Sequence, residues 1–123
     1  MTKKGPNDVV KVKMTDYEWD VTQEVIETFA QWAEFDAENA KTKEERERAR
    51  KRAKLLNEIY VRVEHKTLKK SDLPIIISLI GKYVYGRKDR EGFSGLDEEG
   101  YGYHILQPYK KAKEKLEEAL RKT

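Results

Sequence analysis

The residues best suited to proton transfer in this chain are two histidines, His65 and His104, and a run of acids just ahead of the second. Asp97, Glu98 or Glu99 could orient His104 as a general base, or Glu98 and Glu99 could share acid–base work with Tyr101. Nothing in their spacing fixes that geometry, and acids at a glycine-rich turn ordinarily serve as solvated loop residues. Metal chemistry is as poorly provided for, because the two histidines lie on separate elements and there is no cysteine. The absence of cysteine also removes a thiolate nucleophile and a disulfide framework, which fits a reducing, cytoplasmic setting. Residues 89–100 resemble a calcium loop only superficially: Ser94 stands where the turn glycine belongs and Gly100 where the bidentate glutamate belongs. The glycines of that region lack the lysine and hydroxyl of a phosphate loop and the third glycine of a dinucleotide fingerprint. The expectation is therefore a non-enzymatic protein with no catalytic residue, cofactor or metal site. A site within residues 86–107 is the enzyme reading to test against it.

Binding chemistry is better represented. The chain carries 26 Lys plus Arg and 23 Asp plus Glu, 40% charged residues in all, with a net charge of only +3. Lys43, Arg50, Lys51 and Lys54 fall on the polar side of one helix and could grip phosphates, although Glu47 and Glu58 interrupt the stripe. Arg87, Lys88 and Arg90 form a further cluster, and Lys66, Lys69 and Lys70 another. The near-cancelled charge speaks against phosphate-driven binding as the main activity. Aromatic side chains offer the other kind of contact: Trp19 and Trp32 on a helix with a wide apolar arc, and Phe93, Tyr101 and Tyr103 in the glycine-rich stretch.

Four helices must position these groups. Thr15 and Glu18 make a capping-box signature, so a helix starts near Asp16. Tyr17, Val21, Val25, Phe29, Trp32 and Ala33 sweep one face of it, widened by Trp19 and Ile26. The window 16–39 holds eight acids and no base. Thr42 and Glu45 repeat the cap, and Ala49, Ala53, Leu56, Tyr60 and Val63 mark a second helix. Between residues 41 and 54 this helix has eight basic and three acidic residues. The connection is too short for anything but an antiparallel hairpin, which sets Glu34 near Arg48 and Asp20 near Arg62. Residues 59–65 also alternate like a strand but are read as helix. Ser71 or Asp72 caps a third helix with Pro74 in its first turn, rich enough in isoleucine and leucine to sit at the centre of the fold. Pro108 opens a fourth, amphipathic helix through Leu116 and Leu120.

Two β features complete the expectation. Val10, Val12 and Met14 alternate with Lys11 and Lys13, the period of a half-buried edge strand with a basic outer face. Residues 86–107 hold five of the seven glycines and read as a loop or hairpin, with Tyr101, Tyr103 and Ile105 in a return strand that could pair with residues 10–14. The sequence of helix, glycine-rich hairpin and terminal amphipathic helix resembles winged-helix repressors, which implies a hairpin wing and a dimerising last helix. The fold class is thus mainly α, one domain over residues 1–123, with an acidic/basic helical hairpin, a minor β element and a flexible 1–7. The longest apolar stretch, residues 73–80, is too short to span a bilayer, so no membrane association is expected. The function expected is an intracellular adaptor or regulator that binds a protein partner or a second copy of itself. DNA or RNA binding through the basic second helix is the alternative.

Overall fold

The computed structural model describes residues 5–91 and 101–123, with side chains for all of these except 86–91 and 101–105. Four helices follow one another: α1 (Asp16–Glu38), α2 (Lys43–Glu64), α3 (Asp72–Glu91) and α4 (Tyr101–Lys122). The capping box at α1 forms as its sequence requires. The Thr15 hydroxyl oxygen accepts from the Glu18 N–H at 3.1 Å, and the Glu18 carboxylate accepts from the Thr15 N–H at 2.8 Å. Thr42 caps α2 in the same way, but there Glu45 reaches the N–H of Lys41 instead of that of the cap residue.

The wide apolar arc of α1 is explained by its neighbours: α1 packs most extensively on α2, and also contacts α3 and α4, which pack on each other. The centre of the fold is therefore α1 rather than α3. Val25, Ile26 and Phe29 of α1 meet Leu56, Ile59 and Val63 of α2, Leu73, Ile76 and Ile80 of α3, and Leu106, Ala112 and Leu116 of α4 in one apolar cluster. Residues 59–64 are helical, and α2 ends in a Schellman turn at His65. Lys66 adopts a left-handed conformation (φ 58°), its N–H bonds to the Val63 carbonyl, and the Thr67 N–H bonds to that of Arg62.

The β features differ from expectation. Among the described residues there is one isolated antiparallel bridge, Val9 with Lys69, and no strand. Residues 10–14 keep the alternation of a strand, with Val10 buried, Val12 and Met14 half-buried, and Lys11 and Lys13 exposed. Among the described residues their backbone bonds only to the short α2–α3 connection, where the Val10 N–H reaches the Leu68 carbonyl, too brief a partner for a ladder. The proposed return strand is helix. α3 continues through Gly86 to Glu91 and α4 begins at Tyr101, so the wing implied by the winged-helix resemblance would start and finish in helical segments. Tyr101, Tyr103 and Ile105 do alternate, but Leu106, Tyr109, Ala112, Leu116 and Ala119 extend a stripe of helical period back toward them, and all five are buried. Pro108 lies inside α4 rather than at its first position. It withholds one N–H from the carbonyl of residue 104, a loss confined to the first two turns.

Candidate interaction surfaces

The α1–α2 hairpin closes as an antiparallel pair, but its charges engage differently from the expected register. Glu34 accepts from the Asn57 amide at 3.1 Å rather than facing Arg48. Arg62 turns away from Asp20 to Asp72, donating from Nε at 2.7 Å and from Nη2 at 2.8 Å to the two carboxylate oxygens. Asp72 also accepts from the Lys69 N–H at 2.9 Å, so this carboxylate clamps the end of α2 to the start of α3. The bond to Asp72 raises the Arg62 pKa above its ordinary value despite the opposing effect of burial. At the base of the hairpin Lys66 pairs with Asp16 at 3.1 Å, both exposed.

A second set of polar contacts joins α1 to α4. The Glu18 carboxylate is 6% exposed and takes a bond from Lys115 Nζ at 2.5 Å. Burial pushes its pKa up, but the Lys115 ammonium and the Thr15 N–H outweigh that and hold it below the ordinary carboxylate value. Tyr109 donates to Glu24 and stacks on Tyr83 with ring centroids 5.2 Å apart. Burial first, and then the bond to Glu24, raise the Tyr109 phenol above its ordinary pKa. The pairs Glu18–Lys115 and Glu24–Tyr109 set an antiparallel register in which residue 32 of α1 is level with residue 101 of α4.

Beyond Ala30 and Leu56 the hairpin leaves the main cluster. From residue 31 to residue 52 only Ala33 and Ala37 are buried. This tip exposes Trp32 at 46%, Phe35 at 63% and Leu55 at 41%. Trp32 rests edge-on against the buried Phe29, with centroids 5.2 Å apart and planes at 72°. Beside them an open cleft between the end of α1 and the start of α2 is floored by Ala33, Ala40 and Ala49 and edged by Asp36, Arg48 and Arg52. Among the described residues no hydrogen bond or ion pair engages either arginine side chain.

Of the aromatic residues singled out by sequence, the fold thus presents Trp32 and buries Trp19, which is 7% exposed and belongs to the core. Phe93 lies outside the described residues. Tyr101 and Tyr103 are on the first turn of α4, with side chains outside the described set. Lys43, Arg50, Lys51 and Lys54 are exposed on α2, unpaired among the described residues and separated by Glu44, Glu47 and Glu58. Arg87, Lys88 and Arg90 belong to the last turns of α3, their side chains also outside the described set. His65 is an exposed helix cap and His104 lies on α4 with an undescribed side chain. Among the described residues no group of three His, Asp or Glu could hold a metal ion, and no helix is long and apolar enough to cross a membrane.

Phe35 and Leu55 escaped the sequence reading, although the first left a signal: an aromatic residue between Glu34 and Asp36, off the apolar arc of α1. The Asp72–Arg62 clamp left none, because it depends on how the α2–α3 connection folds back. In comparisons with protein-family models, with curated proteins and with solved structures, nothing matches this chain.

Proposed function

We propose that the chain is a non-catalytic binding protein whose α1–α2 hairpin tip recognises a protein partner. The observation that carries this reading is the exposure of Trp32, Phe35 and Leu55 on a segment that contributes little to the core. Aromatic and arginine side chains side by side are the composition of interface hot spots. Trp32, Phe35, Arg48 and Arg52 supply that composition here. Charge supports a polypeptide target over a polyanion at this surface. The acids of α1 lie one helix diameter from the bases of α2, and acids also alternate with bases along α2 itself, so the tip has little net field. The partner chemistry that fits is an apolar pocket for Phe35 or Leu55 with carboxylates at its rim for Arg48 and Arg52.

The test uses the full chain as bait in lysate, treated with nuclease and washed at high salt, alongside the Phe35→Ala/Leu55→Ala variant. The reading expects a polypeptide retained by the parent chain and lost by the variant at unchanged melting temperature. Equal retention by both would refute it. Sedimentation equilibrium of the same two proteins decides whether the partner is a second copy: a dimer that the variant dissociates would show this.

A further inference from the structure

At the opposite end of the molecule the extended segment before α1 runs beside α4. Burial of Val10 and partial burial of Val12 and Met14 turn Lys11 and Lys13 outward on the other side of the pleat, about 6.6 Å apart along the chain. α4 presents Lys115, Ala119 and Lys122 at i, i+4 and i+7, one face of the helix. The two elements enclose a cleft lined by Lys11, Lys13, Lys115, Glu118, Ala119 and Lys122. Four lysines from two elements thus line one cleft, with Ala119 between them and Glu118 as the one acid among its lining residues.

Their neutralisation is incomplete. Lys115 is committed to the buried Glu18, and Lys122 forms an exposed i,i+4 pair with Glu118 at 3.0 Å. Among the described residues nothing bonds to the ammonium of Lys11 or Lys13. An exposed pair such as Lys122–Glu118 contributes about 0–1 kcal/mol, so an incoming anion can take its place. The hairpin tip differs, since its bases are interleaved with Glu44, Glu45 and Glu47 on the same helix.

We propose that this cleft binds the phosphate backbone of a nucleic-acid strand. The spacing of Lys11 and Lys13 is comparable to that of consecutive phosphates along one strand, and Lys122, held only by its exposed pair with Glu118, lines the same cleft from α4. No aromatic or amide side chain lines it, so it has no stacking platform and no reader of base edges. Binding through it is independent of sequence and strongly dependent on salt. This site is separate from the hairpin tip and does not rest on the protein-binding reading.

The experiment is fluorescence anisotropy of a labelled 20-nucleotide oligo(dT) with the full chain between 50 and 200 mM NaCl. With Lys115 held by Glu18, three cations on a single strand give an affinity loss of about 20-fold over that range. Lys11→Ala/Lys13→Ala reduces the loss to about 3-fold and weakens binding at 50 mM, while Lys11→Arg/Lys13→Arg restores it. Arg50→Ala/Lys54→Ala leaves both unchanged. Circular dichroism checks that each variant is folded, which their exposure favours. The proposal is overturned if oligo(dT) does not bind at 50 mM, or if the α2 variant abolishes binding while the Lys11/Lys13 variant does not. It is also overturned if only vesicles containing phosphatidylserine, and not oligo(dT), distinguish the Lys11/Lys13 variant from the parent.

Discussion

Replacing Asp72 with alanine removes the acceptor of three hydrogen bonds at once: two from the Arg62 guanidinium and one from the Lys69 N–H. The Asp72 side chain is 2% exposed and that of Arg62 is 20% exposed. Deleting one partner of a buried ion pair costs about 3–5 kcal/mol because the other charge is left uncompensated. Arg62 retains some access to water, so the loss belongs at the lower end, about 3 kcal/mol. For a domain of this size that corresponds to a fall in Tm of roughly 10 °C. Urea denaturation followed by helical circular dichroism, with calorimetry for Tm, measures both. Arg62→Met alone should cost at least as much as Asp72→Ala, because it leaves the more deeply buried Asp72 carboxylate with only the Lys69 N–H. The double variant should fall short of the sum of the singles by about 1–3 kcal/mol. A loss under 1 kcal/mol for Asp72→Ala, or strict additivity, would refute the clamp as the element that fixes α2 to α3.

Glu18→Gln keeps an acceptor for the Thr15 N–H but removes the charge facing Lys115. Because the folded-state pKa of Glu18 is held below 4.5, its stabilisation is present above that value and is lost as pH falls through the lower folded value. The parent chain should therefore lose more stability than Glu18→Gln between about pH 5 and about pH 3, and parallel acid limbs would contradict this. Lys66→Gly removes the strain of the left-handed conformation but also the exposed pair with Asp16 and some unfolded-state restriction, so unfolding should shift by less than about 1 kcal/mol in either direction. A loss above 2 kcal/mol would contradict the Schellman ending, on the scale of ordinary point substitutions. Phe29→Ala should cost about 3–5 kcal/mol, and Phe35→Ala less than about 1 kcal/mol, since only the first is buried. Amide hydrogen exchange at residues 43–50 should be orders of magnitude faster than at residues 56–63, and equal protection would show that the tip is part of the main core.

Much of the architecture was legible because local rules and burial agree. The caps at Thr15 and Thr42, the apolar stripes of α1 and α2 and the short connection between them all point to one hairpin. The breadth of the α1 arc was a sign that several neighbours cover it. The glycine-rich region misled at its two ends, residues 86–91 and 101–107, for an identifiable reason, while residues 92–100 lie outside the described set. Gly86 and Gly102 each cost about 1 kcal/mol in a helix, and composition alone cannot show that the stripe from Leu106 to Ala119 outweighs this. Alternation at residues 10–14 correctly predicted which side chains are buried but not pairing, because a strand needs a partner and, among the described residues, only Leu68 bonds to this stretch of backbone. The polar contacts were the least legible. The hairpin register expected from sequence offered Asp20 to Arg62, whereas its bonds to Asp72 depend on how the α2–α3 connection folds back. Of the surface residues, Trp32 was identifiable and Phe35 could have been, whereas the convergence of Lys11 and Lys13 with Lys115 and Lys122 required the three-dimensional path of the N-terminal segment.

The most direct test of the hairpin tip as a recognition surface is retention of a protein partner by the Phe35→Ala/Leu55→Ala chain relative to the parent, under nuclease and at high salt. Loss of the retained polypeptide, with Tm unchanged, is the result expected from side chains that face solvent and serve binding alone. Undiminished retention, or material that disappears when nuclease is added, would contradict it.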